Sequence, residues 1–194
     1  GYFGYDMVRL VESLPEPNPD PLDLPDAILM RPTVIAVVDS VKDVVTLVAP
    51  VWAAAGESPR AAYARAAERL SDAVDDLDRA PAIERAAEPQ ADTLPEPVSN
   101  TTDDAYRDMV RRAKEYIAAG DIFQVVPSQR WVMPFAQPPF SLYRALRRTN
   151  PSPYMFFFNF GGFQVIAASP ETLVRVRDRV VTIRPIAGTR PRRA

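Results

Sequence analysis

The sequence predicts an α+β protein in which antiparallel sheets are flanked by helices. Three observations lead there. Two β-branched runs, 33–39 (TVIAVVD) and 44–49 (VVTLVA), are separated only by Ser40-Val41-Lys42-Asp43, which is the spacing of an antiparallel hairpin. A second pair of apolar runs, 154–160 and 163–168, meets at Gly161-Gly162, where both positions tolerate positive φ. The segments between these pairs carry helical periodicity, and strands and helices do not alternate as βαβ units.

In chain order, Gly1-Tyr2-Phe3-Gly4-Tyr5-Asp6 reads as a strand and a turn. Residues 14–26 (LPEPNPDPLDLPD) hold five prolines and no glycine, so they form an extended surface loop. The first hairpin follows. A helix then starts after Ser58, a good N-cap, with Pro59 in its first position; its apolar stripe runs through Tyr63, Ala66, Leu70, Ala73 or Val74, and Leu77. Residues 78–100 are acidic, contain four prolines and lack periodicity, so they divide a region 1–77 from a region 101–194. A second helix spans 102–119, with Tyr106, Met109 or Val110, Ala113 and Ile117 on one face. Asp103 and Asp104 suit its positive N-terminus and Gly120 its C-terminal cap. Strands are expected at 122–126 and 130–133 on either side of Pro127, then a short helix at 141–148. After the Gly-Gly hairpin, 171–177 and 179–186 suggest another hairpin around Asp178.

Composition narrows the chemistry. Apolar residues at 47% and charged residues at 25% match an ordinary globular protein, and no apolar run is long enough to span a membrane. The chain has no Cys and no His, which removes disulfides, thiolates and imidazoles from its chemistry and suits a reducing cytoplasm. Any metal would need oxygen ligands. Residues 1–100 hold 8 Lys+Arg and 18 Asp+Glu, a net of −10, whereas 101–194 hold 15 and 7, a net of +8. Such a dipole either orients an anionic ligand toward the second half or joins the two halves of one fold. The start at Gly1 without an initiator Met, and the end just after a strand, are expected of a piece of a longer protein.

Three places offer chemistry. Gly188-Thr189-Arg190 follows a strand: Gly188 permits close backbone approach, Thr189 brings a hydroxyl and Arg190 a fork for a carboxylate, although a plain turn has the same residues. Arg175, Arg177 and Arg179 alternate at strand spacing; no aromatic residues interleave with them as stacking platforms, so a solvated sheet face is preferred to nucleic-acid binding. In Asn150-Pro151-Ser152-Pro153-Tyr154-Met155, two prolines at alternate positions fix the backbone between helix and strand and leave peptide groups free of a sheet neighbour; a rigid connection is the simpler reading. Asp75-Asp76 and Asp103-Asp104 are adjacent and do not share a helix face, so neither pair resembles an acid–base or metal site.

Five stretches occur in an order that closely resembles the large subunit (component I) of anthranilate synthase, within the chorismate-utilising enzymes. They are GYFGYDMVRLVE at the start, AGDIFQVVPSQR at 119–130, NPSPYMFFF at 150–158, ASPETLVR at 168–175 and RPIAGTRPR at 184–192. The resemblance covers essentially the whole chain and corresponds to a middle stretch of that subunit. It implies large antiparallel sheets with helices outside, and a lyase that converts chorismate and ammonia to anthranilate and pyruvate, the first step of tryptophan biosynthesis. It also implies a glutamine amidotransferase partner (component II), feedback inhibition by tryptophan, and Mg2+ whose ligands lie outside this chain, as does the active-site histidine. No catalytic residue is assigned here and the isolated chain is expected to be inactive.

By the same resemblance, Gly188 and Thr189 contact chorismate, within a partial chorismate-binding domain at 101–194. Pro153, Tyr154 and Met155 contact tryptophan, largely through backbone groups. One departure stands at Arg193, where the family usually has Gly. A close alternative is aminodeoxychorismate synthase component I, but those enzymes typically carry a nucleophilic Lys where this chain has Ala187. An alternative of another class is a non-enzymatic amino-acid-binding module built on the NPSPYM stretch. Neither a nucleic acid nor a membrane is expected as a partner.

Overall fold

A computed structural model describes residues 1–79 and 95–185. The chain forms two compact units, Gly1–Glu84 and Arg85–Ala194. Among the described residues every ladder is antiparallel and two-stranded, and three α-helices accompany them, as an α+β class requires.

In the first unit, β1 (Tyr2–Phe3) pairs with β2 (Ala27–Ile28), a strand the sequence did not announce. The proline-rich loop returns close to the chain start, where the Gly4 amide donates to the Asp26 carbonyl at 2.6 Å. A Cβ at Gly4 would lie 2.9 Å from that oxygen, so a side chain there would push the two segments apart. Between the strands, a short 3-10 helix (Tyr5–Leu10) is closed by Arg9, which bonds Asp6 at 2.7 Å and the Pro15 carbonyl at 2.6 Å.

The predicted hairpin is β3 (Ile35–Asp39) with β4 (Val44–Val48), in register from Ile35↔Val48 to Asp39↔Val44. Its turn is held by the Asp39 carboxylate, which accepts from the amides of Val41 and Lys42 at 3.0 Å each. Helix α1 (Pro59–Asp78) begins as the sequence indicates, with the Ser58 hydroxyl accepting from the Ala61 amide at 3.2 Å. It packs against β4. The expected stripe holds at Ala66, which is buried with Ala62, and at half-buried Leu70 and Ala73, but not at Tyr63, which is 67% exposed, nor at Val74 and Leu77, which face solvent. Ala62 and Ala66, small residues one turn apart, let the helix lie close to its neighbour, and the bulky Tyr63 is turned away from it.

In the second unit, β5 (Val98–Ser99) pairs with β6 (Trp131–Val132). Two corrections follow. Ordered strand structure already begins at Val98, within 78–100, and the β-branched run 122–126 forms no strand. The ladder partner of β6 is β5, whose Ser99 hydroxyl accepts from the Gln129 side chain at 2.7 Å, so the pairing bypasses 122–126. Helix α2 (Asp103–Ala119) is capped by Thr102, which accepts from the Ala105 amide at 3.2 Å, and ends at Gly120 with φ 84°. There the Gly120 and Asp121 amides donate back to Ile117 and Tyr116 carbonyls, a glycine-dependent stop.

Helix α3 (Pro139–Thr149) lies on the hairpin of β7 (Tyr154–Asn159) and β8 (Gln164–Ser169). Phe157 meets Phe140 edge-on at 5.3 Å and Tyr143 at 6.3 Å, while Phe156, Phe158, Phe160 and Phe163 form a row on the strand pair with centroids 4.9–5.7 Å apart. At the Gly-Gly turn only Gly161 takes positive φ, at 85°. The last hairpin, β9 (Arg175–Arg177) with β10 (Val180–Thr182), is shorter than the sequence suggests. Its turn is Asp178-Arg179, both at positive φ (51° and 64°), so Arg179 leaves the strand and does not continue the row of Arg175 and Arg177.

Candidate functional site

Helix α3 stops where the sequence demands it. Asn150, at φ −141° and ψ 64°, has left helical geometry, although its amide still donates to the Leu146 carbonyl at 2.8 Å. Pro151 and Pro153 cannot donate, and each disfavours helical backbone in the residue before it. The chain is thereby delivered into β7 with Tyr154 as its first residue, opposite Ser169, and Met155 opposite Ala168. Strand alternation puts Met155 on the same face as Phe157, toward α3, and Tyr154 on the other. Tyr154 is 42% exposed, and its hydroxyl accepts a hydrogen bond from the Thr172 hydroxyl.

Beyond β8 the Ser169 hydroxyl brackets Glu171, donating to its carbonyl at 3.3 Å and accepting from its amide at 3.4 Å. This local turn swings Thr172 back toward Tyr154. Thr172 also lines a hollow of about 310 Å³ with Glu171, Leu173, Ile183 and Pro185. Ile183 and Pro185 follow β10 and precede Gly188 in the chain. Gly188 and Thr189, together with Ala187 and Arg190, lie outside the described residues. Pro153, Tyr154 and Met155 therefore stand together at the start of β7, while the other predicted contact pair has no described position. Thr172 was not singled out from the sequence, although it sits inside the quoted ASPETLVR stretch.

Charge is organised elsewhere. In the first unit the Arg65 guanidinium bonds the Glu57 carboxylate and also donates to the Trp52 carbonyl at 2.8 Å. The Ala54 amide donates to the second Glu57 oxygen at 2.8 Å. Arg65 first, then the Ala54 amide, hold the Glu57 carboxyl below its ordinary range. The Arg31 guanidinium lies over the Trp52 ring at 5.0 Å. Among the described residues no group of three or more acidic side chains converges as a metal site, and no helix is long and apolar enough to cross a membrane.

The family described as chorismate binding enzyme matches residues 1–194, the entire chain. The chain belongs to the chorismate binding enzyme family. Over its full length it is 66% identical to anthranilate synthase component 1 of Cereibacter sphaeroides, covering 39% of that protein. It is 47% identical over 195 residues to the component 1 of Thermus thermophilus, again covering 39% of it. The crystal structure of anthranilate synthase component I from Streptococcus pneumoniae superposes with a TM-score of 0.78 at 30% identity, over 94% of this chain and 40% of that one. The antiparallel fold with helices expected from the sequence is thus found, although among the described residues it is built of two-stranded ladders and not of large sheets. The chain spans about two fifths of the length of these relatives.

Proposed function

We propose that this chain acts within an anthranilate synthase large subunit that converts chorismate and ammonia to anthranilate and pyruvate. The observation that carries the reading is the 66% identity to a component 1 across all 194 residues. In this reading residues 101–194 belong to the chorismate-binding domain, 1–77 to an N-terminal region, and 78–100 join them. Ammonia comes from glutamine through an amidotransferase subunit, component II, in the cytoplasm, and tryptophan inhibits.

The chain's own residues have two tasks. Gly188 lets backbone approach chorismate and Thr189 offers it a hydroxyl, so this loop orients the ring for attack by ammonia. Pro153, Tyr154 and Met155 present backbone groups to tryptophan, and the prolines fix that presentation in advance, which lowers the ordering cost of binding. Magnesium is implied by the reaction, where it would supply positive charge to the chorismate carboxylate. Magnesium takes oxygen ligands, and among the described residues the acidic side chains do not converge. They do not fit that ion. Ala187 favours anthranilate over aminodeoxychorismate chemistry, because a methyl group cannot attack the ring.

The test is a chimaera in which this chain replaces the matching stretch of the Cereibacter sphaeroides relative, assayed with chorismate, magnesium and ammonium by anthranilate fluorescence. Anthranilate formation is expected. A folded chimaera that consumes chorismate without forming anthranilate would overturn the assignment.

A further inference from the structure

We propose that Tyr154 and Thr172 form a latch that transmits tryptophan occupancy at Pro153–Met155 to the β9–β10 hairpin. This deepens the tryptophan reading above and rests on it. Of these three residues Tyr154 reaches furthest: its hydroxyl accepts a hydrogen bond from the Thr172 hydroxyl, 18 residues on. The two ends of that bond belong to different tasks. Tyr154 is held in the β7–β8 ladder opposite Ser169, so a change in its backbone is not easily absorbed within the sheet. Its ring is rigid and carries a rotation of the backbone out to the hydroxyl. On the other side, Thr172 belongs to the connection from β8 to β9, and the hollow it lines is walled by Ile183 and Pro185, which lead in sequence to Gly188 and Thr189.

Direction follows from what is fixed at each end. The Ser169 hydroxyl ties the turn at Glu171 to the end of β8, so Thr172 has little slack toward the sheet. On the far side β9 and β10 are joined by only three paired positions, against six in β7–β8, so the hairpin is the end that yields. The latch thus ties the strand start that carries Pro153–Met155 to the hairpin that precedes Gly188 in the chain, a route for a coupling free energy. Thr172 is a positioning residue: it acts through Tyr154 and the hairpin and not by touching either ligand.

The experiment uses the chimaera described above and reads the factor by which saturating tryptophan raises KM for chorismate. Thr172→Val removes only the hydroxyl; it is expected to leave activity without tryptophan unchanged and to lower that factor about fivefold, the size of effect one exposed hydrogen bond can carry. Tryptophan affinity without chorismate, measured by calorimetry, should stay within about twofold of the parent. Thr172→Ser restores the hydroxyl and should restore the factor. Adding Tyr154→Phe to Thr172→Val should lower the factor no further, because both remove one bond. An unchanged factor in Thr172→Val, a Thr172→Ser variant that behaves like Val, or loss of basal activity overturns the latch. Hydrogen exchange of the 150–158 peptide separates the two levels. Protection by tryptophan with an unchanged factor removes the latch alone, and absence of protection removes the site reading and the latch with it.

Discussion

Arg65 shows how one side chain fixes a loop. Its guanidinium joins the Glu57 carboxylate and the Trp52 carbonyl, so α1 holds the segment that leads into it from β4. The depressed Glu57 pKa means that this contact stabilises the fold above the ordinary carboxylate range, and that the contribution is lost as pH falls through the lowered value. Replacing Arg65 with Met should raise the Glu57 pKa back toward the ordinary carboxylate range, read by NMR titration of its carboxyl carbon. A second residue-scale expectation concerns Ala187. In the chimaera, Ala187→Lys should lower anthranilate formation and add mass to the protein on incubation with chorismate, seen by intact-protein mass spectrometry, if Ala187 lines the reacting face. The two positions differ in how they could be read. Ala187 stands out within a contiguous motif, whereas the Thr172 bond to Tyr154 joins residues 18 apart and only folding brings it about.

Hairpins and caps were the most legible elements because their chemistry is local. Ser58 and Thr102 each accept from an amide three residues on, and Gly120 takes the left-handed conformation that ends α2. Strand pairing over longer separations was not legible. The run 122–126 has strand-like residues but no ladder partner among the described residues, while the two-residue β5 pairs with β6 across 32 positions that no short window covers. The β9–β10 turn yields a prediction at this scale. Arg179 has φ 64°, where a Cβ is strained and glycine is not. Arg179→Gly should therefore stabilise the hairpin by roughly 0.5–1 kcal/mol, after allowing for the entropy of glycine in the unfolded chain, and slow amide exchange at Val180 and Val181. Faster exchange there would mean the turn relies on the arginine side chain.

At the scale of the whole molecule, burial is thin. Among the described residues only Ala62 and Ala66 are fully buried, and large side chains such as Phe123, at 94%, stand in solvent. An ordinary domain of this size would enclose far more. The fold class was readable from local patterns, but the share of burial was not, because it depends on surfaces that cover these elements. Isolated, the 194-residue chain should form no anthranilate and should bind tryptophan at least about tenfold more weakly than the chimaera, since burying an aromatic group is worth roughly 1.5–3 kcal/mol and the indole would remain largely wet. Calorimetry on both proteins checks this, and equal affinities would refute it. The contact between Arg31 and Trp52 has a practical use as well. The chain has two tryptophans, and they fall one to each compact unit, Trp52 in the first and Trp131 in the second. A cation above one indole gives it an emission colour that its twin in β6 need not share. Trp131→Phe leaves a lamp in the first unit alone and Trp52→Phe one in the second, so urea titrations of the two variants report each half separately. Coincident midpoints would mark one cooperative body, and distinct midpoints two that melt in turn.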